Sequence, residues 1–274
     1  MEPEDVRREA AARIASRFSM RGRRALVTGG TLSIGRAIVR AFADAGAQLA
    51  VQHAAAADAA LEGEDAAAQL TRELDEQGAR LVMIDADFGV PGEARRTVEH
   101  AADALGGVDV VVVCASVQQR EPFICISAEQ RLRQTQINFH ATVELLQAAV
   151  PAMRERRWGR ILTIGSVNQT RPEADLAIYA ALKSAQLNLC INLARQLAPD
   201  GITANNLSPG LVATARNKWR RVDTEQWQAI QVAANPMGRA AEPEEMAGAA
   251  LLLCSEAGGF ITGADVQATG GGHL

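Results

Sequence analysis

Lysine is almost missing from this chain. Of 28 basic residues only two are lysine, Lys183 and Lys218. Tyrosine occurs once, as Tyr179, in 274 residues. The lone tyrosine and one of the two lysines stand four residues apart, so scarcity alone singles out a pair. The four cysteines (114, 125, 190 and 254) form no Cys-x-x-Cys pair. That excludes the common zinc and dithiol motifs and predicts a reduced, cytoplasmic protein with buried thiols. The four histidines are scattered at 53, 100, 140 and 273, so no metal site is expected. No apolar run approaches the roughly 18 residues of a membrane span, and the longest lies at 108–117. The first residues, MEPEDVRREAAARIASRF, lack the apolar core of a signal peptide. A net charge of −4 gives no basic surplus for nucleic acid. Neither a membrane nor a nucleic acid is an expected partner.

What remains is an ordinary globular composition, 48% hydrophobic and 22% charged. A chain of this length buries a large core without disulfides. No linker or repeat interrupts it, so one domain is expected over 23–274. Residues 1–22 form a charged extension with Val6, Ala10, Ile14 and Phe18 at near-helical spacing. This spacing predicts an amphipathic helix lying on the domain, or alternatively an arm that contacts another subunit.

From residue 23, short apolar runs alternate with helical stretches. Strands are expected at RRALVT, AQLAVQ, ARLVMIDAD, VDVVVVCA, GRILTIGS, GITANNLSP and ADVQATGG. Helices are expected at 33–45, 58–77, 92–104, 127–156, 178–198 and 243–254. The pattern predicts an α/β fold, a Rossmann-like doubly wound parallel sheet of about seven strands with helices on both faces. Ligands of such sheets bind at the carboxyl ends of the strands, at the topological switch point.

Residues of chemical interest do follow strands. After the first comes TGGTLSIG, residues 28–35, where glycines bring the backbone close to a phosphate at a helix N-terminus. Asp85 and Asp87 end the third strand, as turn or cap residues or as ligand contacts. Ser166 ends the fifth, thirteen residues before Tyr179. Tyr179 and Lys183 share a helix face. Together they suit hydride chemistry at a carbonyl. The alkoxide left by hydride delivery needs a proton, and a phenol of pKa near ~10 is a poor donor–acceptor at neutral pH. A cation one turn away favours the phenolate. A serine hydroxyl holds the oxygen on which charge develops.

These segments resemble the short-chain dehydrogenase/reductase family, nearest to its 3-oxoacyl-carrier-protein reductase type. GRILTIGSVNQT, AIYAALKSAQLNL, GITANNLSPGLVAT and FITGADVQATGGG carry the likeness over about 22–272. The resemblance implies an NAD(P)H-dependent oxidoreductase that reduces a ketone reversibly to a secondary alcohol. It implies a catalytic set of Ser166, Tyr179, Lys183 and Asn138. Tyr179 would be the general acid and base. Lys183 would lower its pKa and hold the nicotinamide ribose, and Asn138 would keep a water in a relay to Lys183. Thr28, Gly29, Ser33, Ile34 and Gly35 would form the pyrophosphate turn. His53 would lie by the adenosine ribose and Asp87 by the adenine. Pro209, Gly210 and Thr214 would line the nicotinamide. Residues 213–235 would be a lid. A homotetramer, or a homodimer, is also implied.

Two motifs depart from the family pattern. Ser33 stands where the loop's second glycine is usual, and must accept that glycine's backbone angle. Val113–Ser116 reads VCAS in place of N-N-A-G, which removes asparagine side-chain bonds and crowds the ribose pocket. His53 replaces the acid that holds the ribose 2′-hydroxyl in NAD enzymes, so NADP(H) is the favoured cofactor and NAD the alternative. A small carbonyl or alcohol compound is the expected partner. The altered motifs leave two other readings open: a nucleotide-binding regulator without turnover, and an epimerase or dehydratase with no net redox change. The lid carries Arg216, Lys218, Trp219, Arg220, Arg221 and Trp227, which suit an acidic or flat substrate or, equally, packing and solvent exposure.

Overall fold

The computed structural model describes residues 3–62 and 65–274. Seven strands form one parallel sheet: β1 (Arg24–Thr28), β2 (Gln48–His53), β3 (Leu81–Asp85), β4 (Val110–Val113), β5 (Gly159–Ile164), β6 (Ile202–Pro209) and β7 (Asp265–Ala268). Their order is β3-β2-β1-β4-β5-β6-β7. Direction across the sheet reverses between β1 and β4, which pair from Ala25↔Val110 to Val27↔Val112. The ligand crevice of such a sheet opens there. β4 is four buried valines, and β5 and β6 are buried along their whole length. Such continuous burial requires helices on both faces.

One face is covered by α2 (Ser33–Asp44), α4 (Ala66–Glu76) and α10 (Glu244–Cys254), through Ile38, Phe42, Leu70, Leu74 and Leu253. The other is covered by α5 (Glu93–Leu105), α7 (Ala141–Arg156) and α8 (Ala177–Leu197), through Val98, Leu145, Met153 and Cys190. The expected helix at 58–77 is two helices, α3 (Ala55–Glu62) and α4. The expected helix at 127–156 is α6 (Ala128–Thr135) and α7, joined by a wider π-type turn at Gln136–His140. α6 starts from a reciprocal cap in which Ser127 accepts from Gln130 N and Gln130 Oε1 accepts from Ser127 N. The segment expected as a lid, 213–235, holds a 3₁₀ segment, Ala215–Arg221, and α9 (Thr224–Ala234).

The N-terminal extension is helical as α1 (Pro3–Phe18). It does not lie along the domain by an apolar face. Ala10 and Phe18 are half-buried but Ile14 is 66% exposed, and the side chain of Val6 lies outside the described residues. The end of α1 is tied to the body where Arg17 donates to the Glu256 carbonyl. The exposed positions of α1 are mostly charged residues and alanine, which offer too little apolar area to seat the rest.

Candidate active site

The phosphate turn is built by exclusion of side chains. A Cβ on Gly35 would overlap the Gly29 carbonyl, and one on Gly29, at φ +61, would lie 2.9 Å from Ala115 Cα. Ser33 sits at φ 49, the left-handed region, so it does take the glycine's angle. Its hydroxyl accepts a hydrogen bond from Ala215 N at 3.0 Å, which ties the turn to the lid. α2 begins at Leu32 with no side-chain cap and no acidic residue in its first turn. Its first N–H groups, including the turn through Ile34, are left for an anion. These features fit a dinucleotide's pyrophosphate.

Thr28 acts on the chain itself. It is wholly buried, and its Oγ accepts from Cys114 N (3.0 Å) and Ala115 N (3.1 Å) while donating to Val112 O. It thus locks the ends of β1 and β4 together at the switch point. Gln52, not anticipated from the sequence, braces the turn from β2: its Oε1 accepts from Gly29 N and its Nε2 donates to Ala86 O.

His53 is buried at the end of β2, with Nδ1 3.2 Å from Asp58 Oδ2. Thr31 Oγ donates to the same carboxylate oxygen at 2.6 Å. An acid therefore does reach this corner, supplied by α3 rather than by the strand. Only its position five residues after His53 signalled it. Arg36 is committed to Glu73. Asp87 is exposed beyond β3, accepting from Gly89 N and pairing with Arg133 at 3.5 Å. Pro209 ends β6 opposite Ala268, and Gly210 N donates to Ala268 O. Thr214 opens the lid, its N–H donating to Asn217 Oδ1.

Ser166, Tyr179 and Lys183 converge at the C-terminal ends of β4 and β5, all buried. Ser166 Oγ accepts from Asn168 N (3.1 Å) and Asn168 Nδ2 (3.3 Å). With both lone pairs occupied, the hydroxyl has only its hydrogen left to donate. Lys183 Nζ donates to Ile164 O at 2.6 Å and Gln186 Oε1 at 3.1 Å, and lies 5.8 Å from the centre of the Tyr179 ring. Burial lowers its pKa to about 8, and the Arg216 guanidinium pushes the same way. Burial raises the Tyr179 phenol above its ordinary value, while Arg216 and a hydrogen bond with Ser166 pull it back. Burial likewise raises Cys114, against the fields of Lys183 and Arg216.

Asn138 sits in the π-type turn. Its Oδ1 accepts from Val117 N at 3.0 Å and its Nδ2 donates to Val117 O at 2.8 Å. The side chain thus anchors the segment after β4, and its main-chain carbonyl accepts from Thr142 Oγ at 3.3 Å. The sequence placed Arg216 in the lid without a target. The fold sends its Nη2 into the cleft, to Ser116 O (2.8 Å) and Ser116 Oγ (3.1 Å).

A family model described as enoyl-(acyl carrier protein) reductase matches residues 29–273. The chain belongs to the short-chain dehydrogenase/reductase family. It is 31% identical over 269 residues to the uncharacterized oxidoreductase YghA of Escherichia coli (strain K12), covering 93% of this chain and 84% of that one. It is 30% identical to the L-rhamnose 1-dehydrogenase (NAD(P)(+)) of Azotobacter vinelandii, covering 90% and 94%. The crystal structure of a 3-oxoacyl (acyl-carrier-protein) reductase from Agrobacterium tumefaciens C58 with NADP bound superposes with a TM-score of 0.88. It is 38% identical and covers 95% of this chain and 98% of that one. The family's dehydrogenases and reductases act on alcohol and carbonyl groups, and this chain is an oxidoreductase of that kind.

Proposed function

We propose that this protein reduces a ketone to a secondary alcohol, reversibly, with NADP(H), and that Tyr179 moves the proton. The observation that carries the reading is the meeting of Tyr179, a hydrogen-donating Ser166 and a buried ammonium on Lys183, beside an uncapped helix N-terminus. When bound, the nicotinamide supplies or takes the hydride. Gly29, Ile34 and Gly35 would hold its pyrophosphate by backbone, and Pro209, Gly210 and Thr214 would border the ring. NADP in the similar Agrobacterium structure supports that form of cofactor.

The chain's own residues do the rest. Ser166 donates its hydrogen to the substrate's carbonyl oxygen and fixes its position. Tyr179 donates its phenolic proton to the same oxygen as negative charge grows there. The Lys183 ammonium, fixed by Ile164 O and Gln186, stabilises the phenolate left behind. The expected outcome for Tyr179→Phe is loss of turnover by at least about 100-fold with NADPH affinity kept. Stopped-assay kinetics and a fluorescence titration of NADPH check it. Retained turnover would sink the assignment.

A further inference from the structure

We infer that Arg216 makes this cleft select carbonyl substrates bearing a carboxylate within two carbons of the reacting carbonyl. The inference rests on the proposed reductase reading and names its substrate class. Arg216 enters from the lid, two residues after Thr214, and donates to the neutral oxygens of Ser116. Among the described residues it has no acidic partner. Two nearby arginines do: Arg220 pairs with Glu173 at 3.2 Å, and Arg120 with Glu173 at 2.7 Å and Asp175 at 2.8 Å, whereas Arg221 donates to the Thr214 carbonyl.

An unpaired guanidinium beside the buried Lys183 ammonium places two cations in one cleft. Burial is the main cause of the lowered Lys183 pKa, and the Arg216 guanidinium adds to it. A neutral substrate leaves that repulsion in place. A carboxylate relieves it and exchanges two weak, neutral acceptors for a bidentate ion pair, the geometry a guanidinium fork matches best. Arg216 also lies within hydrogen-bonding influence of the Tyr179 phenol. The phenol must touch the carbonyl oxygen, so an anion held by Arg216 is close to that carbonyl along the substrate chain. A 2-oxo or 3-oxo acid satisfies both contacts.

The test uses the full chain and compares pyruvate and acetoacetate with their methyl esters, in the wild type, Arg216→Gln and Arg216→Lys. For the better acid, the wild-type acid-over-ester ratio in kcat/KM is expected to exceed 10. In Arg216→Gln it falls on the order of 100-fold, mainly through KM of the acid, as for loss of one partner of a desolvated charge pair. Arg216→Lys keeps part of it. A ratio unmoved by Arg216→Gln overturns the inference. So does a weakened NADPH Kd with the ratio intact, because Arg216 then serves the cofactor's phosphates. Absence of turnover with every carbonyl compound would reject the reductase reading itself. Titration calorimetry with the NADPH-loaded protein then decides Arg216: acetoacetate binding that is lost in Arg216→Gln upholds its role, and no acid binding in the wild type rejects it.

Discussion

At the scale of single residues, Ser33 shows how a motif can change chemistry while keeping its shape. A side chain in the left-handed region costs roughly 1 kcal/mol. The hydroxyl offsets it by accepting from Ala215 N, a net gain of about 1 kcal/mol for such a bond. Ser33→Ala keeps the strain and loses the bond, so it should destabilise the protein by about 1 kcal/mol. Ser33→Gly loses both and should leave stability nearly unchanged. Urea midpoints for the two variants check this, and equal losses would disprove the offset. Arg216, Asp58 and Gln52 are the residues whose roles local pattern did not convey. Each reaches a partner on another element, Ser116, Thr31 and Gly29 respectively, and such pairing leaves no periodic signal.

Among elements, alternation of apolar strands with amphipathic helices conveyed nearly all boundaries to within a few residues. It missed the π-type turn at Gln136–His140, because a local change from one hydrogen-bond span to another barely alters apolar periodicity. That turn is where Asn138 projects towards Val117. At the opposite end of the sheet, Asp109 joins β1 to α7. It receives Arg24 Nε at 2.7 Å and Nη2 at 2.6 Å, and Arg156 Nε at 3.2 Å. Burial pushes its carboxyl up, but the Arg24 hydrogen bonds outweigh that and hold it below the usual carboxylate value. A depressed folded pKa stabilises above the unfolded value and is lost as pH falls through the folded one. The Tm gap between wild type and Asp109→Asn should therefore be wide at pH 7 and narrow below about pH 4. A gap constant from pH 7 to 2 would show that the ion pair is not its source.

For the whole molecule, several apolar side chains stand in solvent. Leu132 on α6 is 72% exposed, Ile124 before it 92%, and Phe260 before β7 fully exposed. Large apolar groups exposed in this way suit association rather than solvation. A homotetramer is proposed, with a mass about four times the 29.1 kDa of the chain. Sedimentation at micromolar concentration checks it, and a monomer would reject it. No helix among the described residues is long and apolar enough to cross a membrane.

The sequence by itself determined the parallel sheet and singled out Ser166, Tyr179 and Lys183, which the fold brings together. Burial periodicity is local, and Ser166, Tyr179 and Lys183 are carried by adjacent elements in a short stretch of chain. Only the tertiary structure decided what those residues are free to do. Thr28 is consumed by β4, Asn138 by Val117, and Arg36 by Glu73, while Arg216 has no acidic partner among the described residues. Hydrogen-bond capacity and charge balance are settled by neighbours distant in the chain, so they exist only once the fold has formed.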